Sequence, residues 1–377
     1  MISNMSYKPE DLLMRLADKI FGLPGEKTIR QYIGHFEACY LGYAAQKELR
    51  IHAASGGIVS AMLIYLLERD IIHGALISRI VIRDGCIKAE PFIAHNRQEI
   101  LGGQSSIYME FPLMRDFQQL VRSEKSLAVV ALPCHLQRLA RLEARDPRLA
   151  EKIKLRIGLV CGRSSSKDLL IKILEKKGVQ EQDIAAMRFR QGHWRGQTKL
   201  WLENGKKVSF PFQDFSLYRN LHFDCEMKCL SCEDLLGDCA DVTCGDAWLP
   251  ELRQQPIKHS MAIARTSKAA AWIEQMLQEG NLNMQRVPPQ TIFRAQRRGL
   301  IPGKRGKAAK SRLSRLFGFK MKYDGPWQSR WNDYLVAAMI LFNYRLSRSK
   351  RLAPLIFKVP RPLLRIYLML MSFLKNF

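Results

Sequence analysis

The chain has 377 residues and carries 60 Lys and Arg against 35 Asp and Glu, a formal net charge of +25. Hydrophobic residues make up 47% of the chain and charged residues 25%, which excludes an intrinsically disordered protein and allows a sizeable core without disulfides. No run of about 18 uninterrupted apolar residues occurs, which argues against a conventional membrane span.

The N-terminal segment, residues 1–50, has a mostly helical pattern and begins with a polar, amphipathic stretch. This stretch lacks the apolar core of a signal peptide, so we expect a cytoplasmic protein whose nine cysteines are thiols or metal ligands, not disulfides. A turn at Ser55, Gly56 and Gly57 then precedes an apolar helix, predicted roughly over residues 57–69. Small residues there let backbone N–H groups approach an anion, although an ordinary turn and helix cap use the same residues.

Two strand–helix units follow farther along the chain. The apolar runs 126–133 and 154–161 predict short buried strands, and each is followed by a helical pattern. This alternation predicts an α/β core. Cys134 and Cys161 come directly after the first run and at the end of the second, and in such sheets ligands collect beyond the carboxyl ends of the strands.

Two Asx-Gly pairs, Asp84-Gly85 and Asn204-Gly205, predict β-hairpin turns, and the second pair lies in a β-rich stretch. We therefore predict a mixed α/β (α+β) fold with a β-rich, cysteine-containing C-terminal half and a basic helical tail. The predicted domains are an N-terminal helical segment, an α/β domain, a second domain with the CxxC pair, and the basic tail, over residues 1–50, 51–150, 151–290 and 291–377.

The basic tail holds 20 Lys and Arg and only two acids, Asp324 and Asp333, so +18 of the net charge lies there. Its apolar helix candidates, 334–346 and 363–374, are too short for a bilayer core of about 30 Å. Short apolar helices with basic flanks favour peripheral contact with the anionic inner face of the cell membrane. A helical subdomain with solvated charges is the alternative. We do not expect nucleic-acid binding, because no reader motif is recognisable.

Five of the nine cysteines lie within twenty residues, at positions 225, 229, 232, 239 and 244. Cys229 and Cys232 are spaced to place two thiolates on one metal or cluster, and Cys134 and Cys161 are candidates for the other two ligands. Free cysteine often behaves as a small buried hydrophobe, and we expect this of Cys39.

We expect the same burial of Cys86. Three kinds of site compete for the other cysteines: a structural zinc, a radical S-adenosylmethionine site and an iron–sulfur electron relay. The spacing of Cys225, Cys229 and Cys232 matches the radical family, but it comes late, with too little chain behind it. The rest of the sequence favours the electron relay.

Five motifs occur in an order that resembles the coenzyme F420 hydrogenase/dehydrogenase beta-subunit family over about residues 40–290. The motifs are ASGGI at 54–58, LPCHLQ at 132–137, GLVCG at 158–162, KCLSCED at 228–234 and ADVTCGDAW at 240–248. Members of this family are flavin and iron–sulfur proteins, and some bacterial relatives belong to polysaccharide gene clusters.

The resemblance implies two cofactors in a flavin-binding α/β core. One is a 4Fe–4S cluster, and the other is FAD or another flavin. The residues that match the cluster ligands are Cys134, Cys161, Cys229 and Cys232. The residues that match the flavin site are Ser55, Gly56, Gly57, Asp241 and Asp246. For the two acids, turn and helix capping is the alternative.

The chain also departs from the family pattern. The N-terminal double-cysteine motif of many relatives is missing, and Cys39 stands alone there. The usual Ser-Lys-Tyr stretch reads GQSSIY at 103–108, so it offers no cation for a flavin phosphate. Cys225, Cys239 and Cys244 are additional, and each is an alternative cluster ligand.

We therefore expect an oxidoreductase in which a flavin transfers hydride and a cluster carries single electrons. Its redox partner would be a protein or a soluble carrier, with coenzyme F420 as a candidate substrate and polysaccharide metabolism as a candidate context. His135 is a candidate proton donor because a histidine pKa lies near neutrality, and a hydrogen-bonded structural histidine is the alternative. The rival functions are a cofactor-poor scaffold at the membrane surface and a transferase of polysaccharide assembly with a structural zinc.

Overall fold

The computed structural model describes residues 22–375. They form two compact units, and both units are discontinuous in sequence. The larger unit contains residues 34–215 and 234–288, and the smaller unit contains the described residues before 34, residues 216–233 and residues 289–375. Of the predicted domain boundaries, only the one at 290 lies close to a boundary between these two units. The other two lie inside the larger unit, which is interrupted in sequence at residues 216–233.

The larger unit contains an eight-stranded sheet in the order β11-β1-β10-β9-β5-β4-β2-β3. Strands β2, β4, β5 and β9 run parallel to one another, and the pairs β2–β3, β9–β10, β10–β1 and β1–β11 are antiparallel. Strands β6, β7 and β8 form a separate antiparallel sheet. The strands are β1 (Ala38–Ala44), β2 (Gly74–Arg83), β3 (Cys86–Ala94), β4 (Leu127–Ala131), β5 (Ile153–Leu159), β6 (Ile184–Gln191), β7 (Gln197–Leu202), β8 (Lys207–Pro211), β9 (Val242–Asp246), β10 (Ser260–Ala264) and β11 (Leu282–Arg286).

Helices precede, follow and connect these strands. They are α1 (Glu26–Ile33), α2 (Glu48–Ile51), α3 (Ile58–Leu67), α4 (Arg97–Gly102), α5 (Phe117–Val121), α6 (Pro133–Glu143), α7 (Pro147–Lys152), α8 (Lys167–Glu175), α9 (Gln213–Asn220), α10 (Met227–Leu230), α11 (Ser267–Gln278), α12 (Pro289–Ser314), α13 (Trp331–Ser347), α14 (Ala353–Lys358) and α15 (Arg361–Leu374). Short 3₁₀ turns cover 181–183, 250–252 and 315–317.

The central strands are buried on both faces of the large sheet. Every residue of β4 is buried, and its side chains alternate between two cores: Ala128 and Val130 pack in the core that contains α3 and α11, and Leu127 and Val129 in the core that contains α5, α6 and α7. A parallel strand covered on both faces reads as a continuous apolar run, which is the pattern in the sequence. The mixed α/β fold is therefore confirmed.

Local signals and the structure agree at the hairpin and disagree near the N-terminus. Asp84 and Gly85 both have positive φ, 55° and 65°, between β2 and β3, as a two-residue hairpin turn requires. In contrast, strand β1 lies inside the segment predicted to be mostly helical. The run ACYLGYA is short and buried, and an apolar run of this length does not distinguish strand from helix. Residues 1–21 of that segment lie outside the described residues.

The smaller unit packs the basic tail together with α1 and the segment 216–233. Tyr32 of α1 lies against Phe293 of α12, with ring centroids 5.2 Å apart, and against Trp327, at 4.5 Å. Arg305 forms a buried ion pair with Asp333, Nε to Oδ2, at 2.6 Å. The tail is therefore part of a packed helical unit, and not all of its charges are solvated.

Both apolar segments of the tail are helical, as α13 and α15. Among residues 22–375, no helix combines the length and the apolar character that crossing a membrane requires.

Candidate redox site

The glycine turn is held by close contacts with neighbouring strands. The Gly56 N–H donates to Ser260 Oγ at 2.8 Å, and a Cβ on Gly56 would lie 2.8 Å from the carbonyl oxygen of Gly42. Gly57 caps α3 with φ +81°, and its Cβ would lie 2.5 Å from Leu49 O. These two glycines are therefore required by packing, and the N–H of Gly56 already has a protein partner. The prediction that a flavin lies at this turn stays a prediction.

Two cations converge on the backbone just before this turn. Lys258 Nζ donates to Ala53 O at 2.6 Å and to Ala54 O at 3.3 Å, and the fully buried Arg190 also donates to Ala54 O. Burial lowers the pKa of Lys258 to about 8, and the nearby charge of Arg190 contributes to this shift. The sequence offers no cation at 103–108, but the structure supplies two from distant parts of the chain.

Asp246 is the counterion of Arg190 at the carboxyl end of β9. Arg190 Nη1 lies 2.9 Å from Asp246 Oδ2 and donates to Tyr108 Oη at 3.0 Å. Burial alone would lower the pKa of Arg190, but Asp246 and Tyr108 more than offset burial, so the pKa is raised. Asp246 therefore neutralises and orients a buried guanidinium beside the glycine turn.

Asp241 lies at the other end of β9 from Asp246, and its assignment to the flavin site stays a prediction. The Arg156 backbone N–H donates to Asp241 Oδ2 at 2.7 Å, and Arg156 Nη1 donates to the same oxygen at 3.2 Å. Arg156 also binds Glu143, Nε to Oε1, at 3.0 Å. The five residues of β9 span about 17 Å at about 3.3 Å each. Asp241 therefore supports strand pairing at the opposite sheet edge.

Several buried polar atoms near the turn have no hydrogen-bond partner among the residues that the structure describes. They lie on loop 103–108 and after β5, two segments that join through a bridge between Met109 and Ser165. The side chain of Ser165 is completely buried. The atoms are Gln104 Oε1, Ser105 Oγ, Ser165 Oγ and Ser166 Oγ. Buried polar groups in proteins almost always have a hydrogen-bond partner, so this polar lining fits a polar ligand such as a cofactor phosphate.

An aromatic cluster that the sequence analysis did not single out lies next to Arg190. The Arg190 guanidinium carbon lies 5.3 Å from the Trp248 ring centroid, and that of Arg195 lies at the same distance. Trp194 meets Trp248 edge-on at 5.3 Å. Trp248 is the last residue of the fifth motif, ADVTCGDAW, and this position in the motif is the sequence feature that could have identified it as a site residue. Flat aromatic faces of this kind can pack against a planar ring.

The two strand-end cysteines occupy the predicted positions. Cys134 is exposed at the start of α6, directly after β4, and Cys161 follows β5, where its N–H donates to Leu235 O at 2.9 Å. Since β4 and β5 are parallel neighbours, their carboxyl ends share one sheet edge. Both cysteines belong to the larger unit.

The CxxC pair lies in the smaller unit, on the turn at the end of α10, where the Cys232 N–H donates to Cys229 O at 3.4 Å. The neighbouring Glu233 forms an ion pair with Lys307 of α12. Among residues 22–375, no three His, Cys, Asp or Glu side chains form a group that could hold a metal ion. The four predicted ligands are thus two pairs, one in each compact unit.

The remaining cysteines differ in burial. Burial raises the pKa of the Cys244 thiol in β9 to about 12, and burial, followed by Asp234 and Asp238, raises that of Cys239. A raised pKa disfavours the thiolate form, and both cysteines stay alternative ligands as the sequence leaves them. Cys39 is buried in β1, as expected of a small hydrophobe.

Cys225 is buried in the smaller unit. Cys86, which was predicted to be buried, is only partly buried, because it begins β3 directly after the hairpin turn. His135, the candidate proton donor, lies on α6 with its ring edge-on to Phe111 at 5.6 Å. This contact is compatible with the structural alternative, and the catalytic role stays a prediction.

Comparisons with known proteins identify relatives of most of the chain. Residues 39–116 match the N-terminal part, and residues 124–290 the C-terminal part, of the family described as coenzyme F420 hydrogenase/dehydrogenase, beta subunit. The coenzyme F420 hydrogenase subunit beta of Methanococcus voltae is 25% identical over 261 residues, which cover 67% of this chain and 86% of the relative. The basic tail lies outside both matches.

Other relatives are matched over a smaller part of their length. An uncharacterised protein of Methanocaldococcus jannaschii is 27% identical over 205 residues, 52% of this chain and 53% of that protein. The coenzyme F420-dependent sulfite reductase of the same organism is 27% identical over 232 residues, 58% of this chain and 34% of the reductase. The chain thus spans about half of the first protein and a third of the second.

A chain of the F420-reducing [NiFe] hydrogenase complex from Methanosarcina barkeri has a similar structure. The TM-score is 0.59 at 19% sequence identity, over 78% of this chain and 98% of that chain. At this identity the similarity shows a shared fold.

Proposed function

Because the chain belongs to the coenzyme F420 hydrogenase/dehydrogenase beta-subunit family, we propose that it is an oxidoreductase that transfers electrons or hydride between a redox partner and its substrate. One observation carries this proposal: Lys258 contacts the backbone immediately before the glycine turn, at the N-terminal end of α3, next to Arg190, whose own charge is paired with Asp246. Positive charge beside a helix N-terminus favours an anionic cofactor group.

The residues around the turn fit FAD or another flavin. Lys258 supplies a cation, the N-terminal end of α3 supplies a helix dipole, and the hydroxyl of Ser165 needs a partner. Trp248, half-buried beside Arg190 and Arg195, places an aromatic ring close to these residues. When bound, a flavin supplies both hydride transfer and single-electron exchange. The protein's part is to orient it and to hold the buried Arg190–Asp246 pair beside it.

Four thiolates are the donor set of a 4Fe–4S cluster, and we propose Cys134, Cys161, Cys229 and Cys232 as its ligands. The shared sheet edge of the first pair and the single turn that holds the second support this assignment. A bound cluster would carry one electron at a time. The rival proposal of a transferase with a structural zinc on the local cysteines uses the same CxxC pair, and the rival scaffold would hold neither cluster nor flavin.

The names of the relatives support a redox partner protein or a soluble carrier, with coenzyme F420 as a candidate substrate. A cytoplasmic location and a role in polysaccharide metabolism rest on the sequence alone. Peripheral contact with the cell membrane is a separate proposal, supported by the surface of the smaller unit and not by the redox site.

The test is anaerobic purification followed by a visible spectrum and by iron, sulfide, zinc and flavin analysis. We expect about four irons per chain, a broad iron–sulfur absorbance and bound flavin. Cys229→Ser should remove the iron–sulfur absorbance, whereas Cys86→Ser, a change at a partly buried cysteine outside the proposed set, should leave it intact. One zinc per chain without iron would overturn the cluster assignment and support the transferase, and protein without iron or flavin absorbance would support the scaffold.

A further inference from the structure

Helix α15 has an apolar stripe on its exposed side. Leu363, Ile366, Leu370 and Phe373 are spaced three, four and three residues apart, which places them on one helix face. Their exposed fractions are 57%, 62%, 53% and 37%. The α15 residues Leu364 and Met371, in contrast, are buried. Large apolar side chains in a continuous exposed stripe mark an interaction surface more often than single exposed residues do.

The orientation of this stripe is fixed by polar contacts between α15 and α13. Asn332 Nδ2 donates to Leu374 O at 2.8 Å, and Tyr367 Oη donates to Asn343 Oδ1 at 3.1 Å. The start of α13 thus meets the end of α15, so the two helices are antiparallel. Because these contacts hold α15 at its end and near its middle, the stripe cannot turn inward without breaking them.

Exposed cations accompany the stripe, and acids are nearly absent from this region. Arg365 is exposed on α15, and Arg351 and Lys358 are exposed in the preceding segment that contains α14. In that segment Leu352 and Leu355 are 45% and 51% exposed.

The region 291–377 contains two acids. Asp333 is buried in its pair with Arg305, which leaves Asp324 as the exposed acid among the described residues. The surface is therefore cationic and apolar together.

The basic run 304–322 is used differently. Arg305 and Lys310 are buried, Lys307 pairs with Glu233, and Lys304 donates to Gln31 O at 2.9 Å. These cations stabilise the interior of the smaller unit. Exposed cations and an ordered apolar stripe therefore occur together in the tail at α14 and α15.

We propose that α14 and α15 form a face that binds the anionic surface of a lipid bilayer. Helix α15 would lie in the plane of the membrane, with its stripe about 5–10 Å into the boundary between headgroups and acyl chains. Arg351, Lys358 and Arg365 would contact lipid phosphates. The shortage of exposed acids favours this occupant over a protein surface of mixed charge. This contact is independent of the redox chemistry, because both family matches end before the tail.

Co-sedimentation of the purified full-length holoprotein with vesicles tests this contact. One vesicle set is phosphatidylcholine alone, and the other is an equal mixture of phosphatidylcholine and phosphatidylglycerol. We expect binding to the mixed vesicles only, and we expect it to be lost in about 1 M salt, where the Debye length is about 3 Å. Replacing Leu363, Ile366, Leu370 and Phe373 by Gln should leave the protein in the supernatant.

A pair of charge variants distinguishes binding through this face from attraction by the net charge of the protein alone. Changing Arg351, Lys358 and Arg365 to Gln should weaken binding about tenfold or more. The matched control changes three exposed cations of the basic run, Arg315, Lys320 and Lys322, and should weaken binding much less.

Equal effects of the two triple variants would overturn the assignment of the face. Intact protein that stays in the supernatant with the mixed vesicles at low salt would also overturn this assignment. In that case light scattering would compare self-association of the intact protein and the stripe variant, and its loss in the variant would identify a second copy of this chain as the occupant. Circular dichroism and the visible spectrum of each variant check that it folds and keeps its cofactors.

Discussion

At the scale of single residues, the pKa of Lys258 affects both the stability of the fold and the proposed binding of a flavin. Burial, with help from Arg190, lowers its pKa to about 8 from an ordinary value of 10.5, so the folded state holds this proton less tightly than the unfolded chain. Stability from this group therefore rises as the pH rises from about 8 to about 10.5, and it is lost as the pH falls through about 8. The charge available to an anion changes in the opposite direction.

Flavin affinity should consequently fall as the pH rises through about 8, because Lys258 loses its proton there. Replacing Lys258 by Met should weaken flavin binding about tenfold at neutral pH, since a hydrogen bond to a charged group is lost, and should abolish the pH step. Fluorescence titration of the deflavinated protein at several pH values measures both effects.

The control is Lys268→Met, which changes an exposed lysine of α11 whose Nζ lies 4.7 Å from the Trp272 ring. A pH step that persists in Lys258→Met would show that another group binds the anion.

At the scale of secondary-structure elements, the glycine turn and α3 form a rigid corner of the sheet. Gly56 is enclosed by the backbone of β1 and β10, and Gly57 is in the left-handed region against Leu49 O. A valine at position 56 would thus disturb folding whether or not a flavin binds there. Removing the charge of Lys258 therefore tests the cofactor site more directly. Substitutions of the glycines are better tested by measuring the free energy of unfolding.

Gly57→Ala should lower the free energy of unfolding by about 1–2 kcal/mol or more, because an alanine in the left-handed region costs about this much before any clash with Leu49 O. Gly102→Ala is the matched control, since Gly102 lies in α4 with open space where its Cβ would be. We expect that control to be neutral or slightly stabilising. Urea unfolding measures both, and equal effects would contradict the packing of the turn.

At the scale of the whole molecule, the smaller unit joins segments that are far apart in sequence. Asp333 has two tasks there: it pairs with the buried Arg305, and its Oδ2 accepts the N–H of Arg330 at 2.8 Å to cap α13. Asn343 Nδ2 donates to Leu221 O at 2.9 Å, which ties the same helix to the segment before the CxxC pair. Truncation after Gly299 would cut α12 in its middle and remove packed parts of the smaller unit. It would therefore not test the tail surface separately from folding.

Asp333→Ala should loosen the smaller unit as a whole, because it leaves Arg305 buried without its counterion, a change that costs about 3–5 kcal/mol. Hydrogen exchange read by mass spectrometry should accelerate in residues 22–33, 216–233 and 289–375, while β4 and α3 of the larger unit keep their protection. The control is the exposed Asp324→Ala. Faster exchange restricted to the tail would show that residues 216–233 do not unfold with it.

The sequence by itself determined much of the local structure. The buried strands β4 and β5, the turn at Asp84-Gly85 and the helices of the tail could be predicted because each depends on residues within a few positions of one another. The cysteines at strand ends and the five ordered motifs also indicated the family without the fold. Strand β1 was missed because a short buried run has no periodicity that separates strand from helix.

Tertiary structure alone decided which distant side chains meet. Lys258 reaches Ala54 across 204 positions and Arg190 reaches it across 136, and the separation of Asp241 from Asp246 depends on which sheet edge each end of β9 occupies. The burial of Arg305 and Lys310 and the exposure of the α15 stripe were likewise invisible in a basic, apolar tail. The order of charged and apolar residues can be read along the chain, but the burial of each residue depends on packing between elements. Packing therefore determines which cations form contacts inside the protein and which remain exposed to a partner.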